Sequence, residues 1–437
     1  MMRDSMYQWA CDLFPIHRSI TGEGLRETLG YIKNILPELE IMAINSGEKV
    51  YDWEVPQEWS IHDAWIEDEF GDRVLEYCDN NLHVVSYSEP IDEIISLDEL
   101  QKHLYSLESQ PDAIPYVTSY YKKVWGFCIE HKKRLNLHDG KYHVYINSKK
   151  FDGALNYGEL IIKGSSKEEI LLSTYVCHPS MANNELSGPV VAIALALWLK
   201  KIETRYTYRI VFTPETIGSI CYINRNIETL KKNVVAGYVL TCLGDNNEYS
   251  YMPSRTGATL SDKVAKHVLK YYAGDYKRYS FLERGSDERQ YCSPLVDLPV
   301  CSITRTMYTK YHQYHTSLDN LDFISQEGLN GGYQALQHCI NILEMNHHWK
   351  ATVFCEPQLG KRGLYSNVSL NNGKFECSKP LAIDILAYAD GINDLVDIAE
   401  YLKKPAWELI ETIKKLDLLE VVVLLLLTTL QMMLESI

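Results

Sequence analysis

The feature that most constrains the fold is an alternation of short apolar strands with helices between residues 140 and 345. Strand-like runs include EEILLSTYVCH, YRIVFTP and VVAGYVLTCLG, and helical segments such as GPVVAIALALWLKK separate them. This alternation predicts an α/β fold with a mostly parallel, mixed sheet and helices on both faces. Ligands of such sheets bind beyond the carboxyl ends of the strands, so we expect functional residues to follow the strands.

The rest of the chain has other patterns. Near the N-terminus Leu25, Leu29 and Ile32 recur at helical spacing. A Trp-, Tyr- and Pro-rich stretch then favours short strands and turns, and three short helical segments near the C-terminus predict a helix-turn-helix-like bundle. The predicted regions are 1–45 (N-terminal helical part), 46–125 (β-rich insert), 126–350 (α/β catalytic domain) and 351–437 (C-terminal winged-helix-like helical domain).

Charge and composition narrow the function and location. A formal net charge of -15 repels phosphate backbones and argues against a nucleic-acid partner. Eleven cysteines without a CxxC pair, behind an N-terminus that lacks a signal-peptide pattern, predict a cytoplasmic protein. The apolar run VVVLLLLTTLQMMLESI is short for a membrane span and predicts a buried or dimerising helix. We therefore expect no membrane partner, and a homo-oligomer is compatible with this run.

The segment STYVCHPSMANNELSGPVV contains the first residue that suggests chemistry. It places His178 at a strand end, before a polar loop and an apolar helix. Imidazole is a good zinc ligand, with a bond of about 2.0–2.1 Å. Taken alone, the histidine could equally well satisfy the loop backbone.

Three further polar clusters follow strands in the same region. VFTPETIGSI carries Glu215, whose carboxylate can take a proton from a metal-bound water and pass it to a leaving amine. ERGSDERQYCSP carries Asp287, and YHQYHTSLDN carries His315 and Asp319, which can bond a backbone or a histidine ring. Each cluster is a weak signal alone, but four in order after strands predict one site.

These motifs also carry a resemblance. Residues 140–345 resemble zinc aminopeptidases of the leucyl-aminopeptidase and glutamate-carboxypeptidase type, and nearly the whole chain resembles a bacterial family with an aminopeptidase-like domain. The closer match rests on LFPIHRSITGEG, VPQEW, CHPSMANNELSGP, PETIGS and YHTSLDN. The resemblance implies a zinc-dependent hydrolase of peptide or amide bonds, acting on a small peptide or an N-acyl amine.

The resemblance also implies roles for single residues. His178 and His315 match metal ligands, Glu215 matches the general base, and Asp287 matches a catalytic aspartate beside that base. Asn184, however, stands where a metal-bridging aspartate is expected.

Two more expected carboxylates are replaced, by Thr216 and Thr241. Neutral oxygens do not balance the charge of two dications. We therefore expect one zinc rather than two, held by the two histidines and Glu185, with Asn184 as a neighbouring oxygen donor and Asp287 as the alternative third ligand.

Several alternatives stay open at this point. Two metals could bind through relocated carboxylates, including Asp245. The fold could have become a non-catalytic binding module, or it could serve a related zinc acyl-transfer enzyme such as a cyclase. Further candidates for contact with substrate or site are His62, Asp63 and Trp65 of the insert, His17, Arg18 and Glu23 near the N-terminus, and Arg284, Arg289 and Arg305. Small cores and surface ion pairs are the structural alternatives for these residues.

Overall fold

A computed structural model describes residues 2–364, 370–371, 374–375 and 380–425 of the chain. Its helices are α1 Met2–Leu13, α2 Glu23–Ile35, α3 Leu97–Leu100, α4 His131–Leu135, α5 Ser187–Leu199, α6 Ile217–Asn233, α7 Leu260–Val268, α8 Glu288–Tyr291, α9 Gln326–Met345, α10 Leu381–Tyr388, α11 Leu395–Leu402 and α12 Ala406–Leu418. Its strands are β1 Glu40–Asn45, β2 Lys49–Val50, β3 Trp53–Glu54, β4 Glu58–Asp68, β5 Arg73–Glu76, β6 Ile91–Ser96, β7 Leu104–Tyr105, β8 Phe127–Cys128, β9 Lys141–Phe151, β10 Ala154–Ile162, β11 Glu169–Tyr175, β12 Thr207–Thr213, β13 Val234–Leu240, β14 Ser250–Met252, β15 Lys277–Arg278, β16 Val300–Thr304, β17 His348–Ala351, β18 Leu370–Asn371, β19 Lys374–Phe375, β20 Asp390–Asp394 and β21 Val422–Leu425.

The chain divides into two compact units. The first contains the residues up to 262 together with 276–334, and the second contains 263–275 together with the described residues from 335 onward. Within the described residues, no helix combines the length and apolar character that crossing a bilayer requires.

The first unit is built on an eight-stranded mixed sheet in the order β1-β10-β12-β11-β13-β16-β14-β15. Strands β12, β11, β13 and β16 are parallel, whereas β1 and β10 join one side antiparallel and β14 pairs antiparallel with β16. Helix α5 connects β11 to its neighbour β12 on one side. Helix α6 connects β12 to β13, which lies on the other side of β11. Because such crossovers are right-handed, α5 and α6 cover opposite faces. The predicted fold class is confirmed.

Helix α5 approaches the sheet closely because its sequence is apolar on all sides. Its residues Ser187 to Ala196 are all buried. A Cβ on Gly188 would lie 2.2 Å from the carbonyl oxygen of Leu240 and 2.4 Å from Oγ1 of Thr174. Only glycine permits this contact, which fixes the helix against the strand ends where the site lies.

A second sheet has the order β5-β4-β9-β6 and is antiparallel throughout. Its longest pairing joins β4 to β9 and stacks the rings of Trp65 and Tyr145 at 5.0 Å. The segment KYHVYINSKK forms β9 and lies within the predicted α/β region 126–350, but it pairs with β4 and β6 of this second sheet, so the prediction is wrong for this strand. Alternating apolar and polar residues identify a half-buried strand but not the sheet it joins.

The N-terminal part is also less helical than predicted. Helices α1 and α2 form, with Leu25, Leu29 and Ile32 buried as their spacing indicates. Residues Glu40–Asn45, however, form β1 and pair with β10. The helical periodicity ends before this strand, and the prediction extended it too far.

The second unit combines helices α10, α11 and α12 with a small antiparallel sheet in the order β20-β17-β21. The three predicted helices are confirmed, and Asp394 caps α11 by accepting from the backbone N–H of Asp397 at 2.9 Å. The predicted terminal helix is wrong at its start, where Val422–Leu425 form a strand. Residues 426–437 lie outside the described part of the chain.

Candidate metal and catalytic site

The functional residues predicted from sequence follow the parallel strands of the main sheet. His178 follows β11, Glu215 follows β12, and Thr241 follows β13 directly. Parallel strands present their carboxyl ends at one edge, so these residues meet there. The loop that carries His315 reaches the same place, as the contacts of its ring show.

The two histidines form a pair. The ring centroids of His178 and His315 are 5.5 Å apart, and the Tyr116 ring lies 5.1 Å from the first and 5.3 Å from the second. His315 Nε2 is buried and has no hydrogen-bond partner among the described residues. Two imidazoles on one tetrahedral zinc place their centroids about 5 Å apart. The separation of the two rings is therefore compatible with a metal ion between them.

A buried carboxylate orients the first histidine. His178 Nδ1 lies 2.7 Å from Glu185 Oε2. When Glu185 is ionised, the neutral ring donates from Nδ1 to the carboxylate and keeps its lone pair on Nε2. Burial, together with the nearby charge of Arg18, lowers the pKa of His178 to about 3. Burial raises the pKa of Glu185 to about 8, although Arg18 opposes this rise. This carboxylate–histidine arrangement is the usual one behind a metal ligand.

Arg18 completes the buried cluster from the N-terminal segment. Its Nε donates to the carbonyl oxygen of His178 at 3.0 Å and lies 3.7 Å from Glu185 Oε1, while Nη1 donates to the Leu13 carbonyl at 2.6 Å. Arg18 has no exposed surface. The arginine therefore balances the carboxylate and holds the His178 backbone in place.

Glu215 faces the free side of His178. Its Oε2 lies 3.7 Å from His178 Nε2, and its backbone N–H donates to Cys177 Sγ at 3.2 Å. Burial, followed by the negative charge of Asp287, raises the pKa of Glu215 to about 8. A carboxylate with a pKa near neutrality is suited to take up and return a proton.

Asp287 lies behind Glu215, where it supports the loop. Its Oδ1 accepts from the backbone N–H of Thr216 and from Ser219 Oγ, both at 2.8 Å. Thr216 Oγ1 in turn accepts from Arg289 Nη2. Asp287 is not among the residues that line the cavity. It influences Glu215 through charge and loop position.

Strained backbone occurs at several of these residues, as it does at others elsewhere in the described chain. Non-glycine residues with positive φ in the loops beyond the strands are Ser180 (44°), Thr216 (63°), Cys242 (50°) and His315 (55°). A β-branched residue such as Thr216 rarely adopts this conformation, which costs roughly 1–3 kcal/mol. Such strain persists where surrounding contacts impose it, as is common at functional sites.

The residues that replace the expected carboxylates are engaged with one another. Asn184 Nδ2 donates to the Tyr175 hydroxyl at 2.8 Å, and Thr241 Oγ1 donates to the Asn184 carbonyl at 2.9 Å. Asn184 Oδ1 is buried without a hydrogen-bond partner. The Asp319 carboxylate accepts from the backbone N–H groups of Asn183 at 2.6 Å and Asn184 at 2.9 Å. Asp319 therefore holds the loop backbone, and the carboxylate behind His178 is Glu185.

A cavity of about 370 Å³ opens onto the pair of histidines. The insert supplies much of its wall, but not through His62, Asp63 or Trp65, which are absent from the lining. The lining includes Trp53, Tyr116, Tyr120, Glu215, Arg289 and both histidines. The tyrosines of YVTSYY were missed, because nothing in a local run of tyrosines indicates which distant loop it meets.

Of the other polar candidates, one lines the cavity and the rest make contacts elsewhere in the fold. Arg289 lines the cavity, whereas Arg305 stacks on Tyr249 at 4.2 Å and donates to the Glu248 carbonyl. Arg284 lies over the Phe281 ring at 4.8 Å. Near the N-terminus, His17 packs between Trp59 and Tyr77, and Glu23 pairs with Arg26 at 2.9 Å.

A second group of possible ligands lies on the other side of the His178 ring. One ligand atom each from Cys177, His178 and Glu185 falls within a 4.8 Å cluster. All three residues are buried, and Arg18 lies 3.7 Å from Glu185. A cation there would be repelled by the guanidinium charge of Arg18. The Nε2 side, which opens onto the cavity, is the better metal position.

Comparisons with known proteins agree with this fold. A family model described as a domain of unknown function (DUF4910) matches residues 7–346, and one described as a winged helix-turn-helix matches 347–423. The C-terminal unit is therefore a winged helix-turn-helix, as predicted. A Clostridium acetobutylicum protein named "Putative polysaccharide biosynthesis protein with aminopeptidase-like domain" is 43% identical over 395 residues, which is 90% of each chain.

Solved structures extend the comparison. A crystal structure described as a "putative peptidase" from Clostridium acetobutylicum is 40% identical, covers 97% of this chain and 96% of its own, and has a TM-score of 0.90. A zinc aminopeptidase from Bacillus subtilis is 14% identical, covers 76% of this chain and 92% of its own, and has a TM-score of 0.56. The latter similarity confirms the aminopeptidase-like fold. The chain belongs to the DUF4910 family and carries an aminopeptidase-like domain.

Proposed function

We propose that the protein is a zinc-dependent hydrolase of peptide or amide bonds, with Glu215 as its general base. One observation carries the proposal: His178 Nε2, the unpartnered His315 Nε2 and the Glu215 carboxylate belong to one cavity. Donors of this kind suit zinc, and the 5.5 Å spacing of the two rings suits one ion.

One zinc accounts for the donor set better than two. His178 and His315 would hold it, and Glu185 would fix the orientation of His178 from behind. The neutral side chains of Asn184 and Thr216 leave a second dication without charge balance. When bound, zinc would lower the pKa of a water molecule and polarise the carbonyl of the scissile bond.

Residues that line the cavity supply the remaining chemistry. Glu215 takes a proton from the attacking water as the new C–O bond forms, and returns it to the amine as the C–N bond breaks. Arg289 can bind a developing oxyanion or a substrate carboxylate from the cavity wall. Tyr116 and Ile217 line the same cavity and limit the entry of water.

The substrate class is a small peptide or an N-acyl amine. The Clostridium acetobutylicum relative is named as a polysaccharide biosynthesis protein, which extends this class to N-acylated amino sugars. A test panel should therefore contain aminoacyl amides, N-acetyl amino sugars and N-acyl amino acids.

Glu215→Gln tests the proposal with Glu203→Gln, an exposed glutamate, as the matched control. The expected result is a loss of hydrolysis of about 10²–10⁴-fold with zinc binding retained, and no change in the control. Full activity in Glu215→Gln would overturn the role of Glu215. Zinc-loaded wild-type protein that cleaves nothing in the panel would favour a binding or acyl-transfer function.

A further inference from the structure

A second cavity, of about 410 Å³, lies beside the first, and we name it the α6 pocket. Its lining includes Tyr51, Trp53, Ile223, Ser293 and Leu295. Three large side chains around it are exposed, with exposed fractions of 57% for Tyr51, 41% for Trp53 and 88% for Leu295. A concentration of exposed apolar surface at a cavity indicates a binding site.

One wall of the α6 pocket is a face of helix α6. Ile220, Ile223 and Ile227 follow one another at spacings of three and four residues and line the pocket. Ile217, one turn earlier on the same helix, lines the cavity that holds the histidines. Consecutive turns of one helix thus lead from one cavity to the other.

The opposite walls are continuous as well. On α8, Arg289 lines the first cavity and its neighbour Gln290 lines the α6 pocket. Trp53, at the start of β3, lines both cavities and stands between them. A molecule whose amide group lies beside Glu215 could therefore extend past Trp53 into the pocket.

We propose that the α6 pocket binds a large apolar group of the substrate, next to the bond that is cleaved. This inference rests on the proposed function for the identity of the occupant. The pocket lining has no Lys or Arg, and Asp52 is its one carboxylate, so a neutral aliphatic or aromatic group suits it best. An amino-acid side chain or an acyl chain can supply this group, and its apolar character is the same in both. The α6 pocket would therefore determine substrate specificity, because it distinguishes substrates without touching the reacting atoms.

The first test fills the pocket. Ser293→Phe places a ring in the cavity, and Leu135→Phe at a 70% exposed position elsewhere is the matched control. Calorimetry of the metal-free proteins with octanamide, phenylalanine amide and acetamide measures binding without hydrolysis. We expect octanamide or phenylalanine amide to bind wild type at least about 10-fold more tightly than acetamide, and Ser293→Phe to abolish that preference. Tighter binding of octanamide would identify an acyl chain as the occupant, and tighter binding of phenylalanine amide would identify an amino-acid side chain.

The second test removes apolar surface. Leu295→Ser should reduce the ratio of kcat/KM for N-octanoyl over N-acetyl substrates, or for phenylalanyl over alanyl amides, by about 3- to 10-fold. Sedimentation of wild type and Leu295→Ser tests whether a second copy of the chain occupies the pocket instead. A wild-type dimer that Leu295→Ser converts to monomer would overturn the inference in favour of a second copy. Unchanged amide binding in Ser293→Phe would overturn it too, whereas a protein that binds octanamide but hydrolyses nothing would contradict only the proposed function.

Discussion

His178 Nδ1 lies within hydrogen-bond distance of Glu185 Oε2, at 2.7 Å, and both residues are buried. This contact turns Nε2 of the ring towards the cavity and Glu215. It also supports a role for Glu185 in orienting the His178 ring, whereas the sequence predicts that Glu185 is itself a metal ligand. The residue is the same, but its expected contribution changes from coordination to orientation.

Glu185→Gln should therefore weaken zinc binding without removing a ligand. The amide retains the shape but loses the charge that favours donation from His178 Nδ1. We expect zinc affinity to fall about 10- to 100-fold, as for other partners behind metal-bound histidines. Competition titration with a zinc indicator measures the change, and Glu203→Gln is the surface control. An unchanged affinity would contradict the orienting role.

Arg18→Met should reduce stability more than most substitutions. Glu185 would lose the nearby charge of Arg18, and the hydrogen bonds of Arg18 to the His178 and Leu13 carbonyls would be lost. Removal of one partner from a buried pair costs about 3–5 kcal/mol. Urea unfolding of metal-free protein above the Glu185 pKa of about 8, where the carboxylate is ionised, checks this value. A double variant Arg18→Met with Glu185→Gln should recover part of the loss, and no recovery would show that the two side chains do not interact.

Thr216→Gly should stabilise the protein and impair its activity. Glycine adopts the φ of 63° without strain, which is worth about 1 kcal/mol, but it lacks the hydroxyl that Arg289 contacts. Thermal unfolding and kcat are the readouts. Lys403→Gly, at a φ of 53° in the second unit, should give similar stabilisation with unchanged kcat. If both variants behave alike in kcat, the hydroxyl contact has no catalytic importance.

Much of the site could be predicted from sequence, because the parallel strands of an α/β fold present their carboxyl ends at one edge of the sheet. His178 and Glu215 needed only their strands to be recognised. Tyr116 and Arg18 could not be assigned in the same way. Each reaches the site from a segment more than 60 residues away in sequence from its contacts at His178, and local patterns carry no information about such distant pairings.

The errors in the fold have the same origin. The alternation in β9 identifies a strand, yet its partners β4 and β6 lie in the second sheet. Apolar residues in β21 are compatible with a helix or a strand over so short a run. Pairing across the sheet decides between these alternatives, and it depends on residues far away in the chain.

Metal-free protein should lose stability as the pH rises from about 6.5 to about 8. Burial raises the pKa of both Glu185 and Glu215 to about 8, so the folded chain keeps protons that the unfolded chain has already released. Stability from these groups is full below their unfolded pKa of about 4.3 and is lost as the pH passes through the folded value. The buried histidines are neutral in both states above pH of about 6.5 and do not offset the loss.

The expected decrease is about 1–3 kcal/mol in the free energy of unfolding over that interval. Urea titrations in the presence of a chelator measure it at each pH. Glu185→Gln should show about half the wild-type slope, since one of the two groups no longer titrates. A stability that is flat or rises with pH would contradict protonated carboxylates in the metal-free site.

The most direct test of a single zinc between the two histidines is the metal content of the purified protein. Wild type and His315→Ala are dialysed against micromolar zinc, with His312→Ala, an exposed histidine in the same loop, as the control. We predict one zinc per chain in wild type and in the control, and a marked loss in His315→Ala. No zinc in wild type, two zinc ions per chain, or equal zinc in His315→Ala would contradict this account.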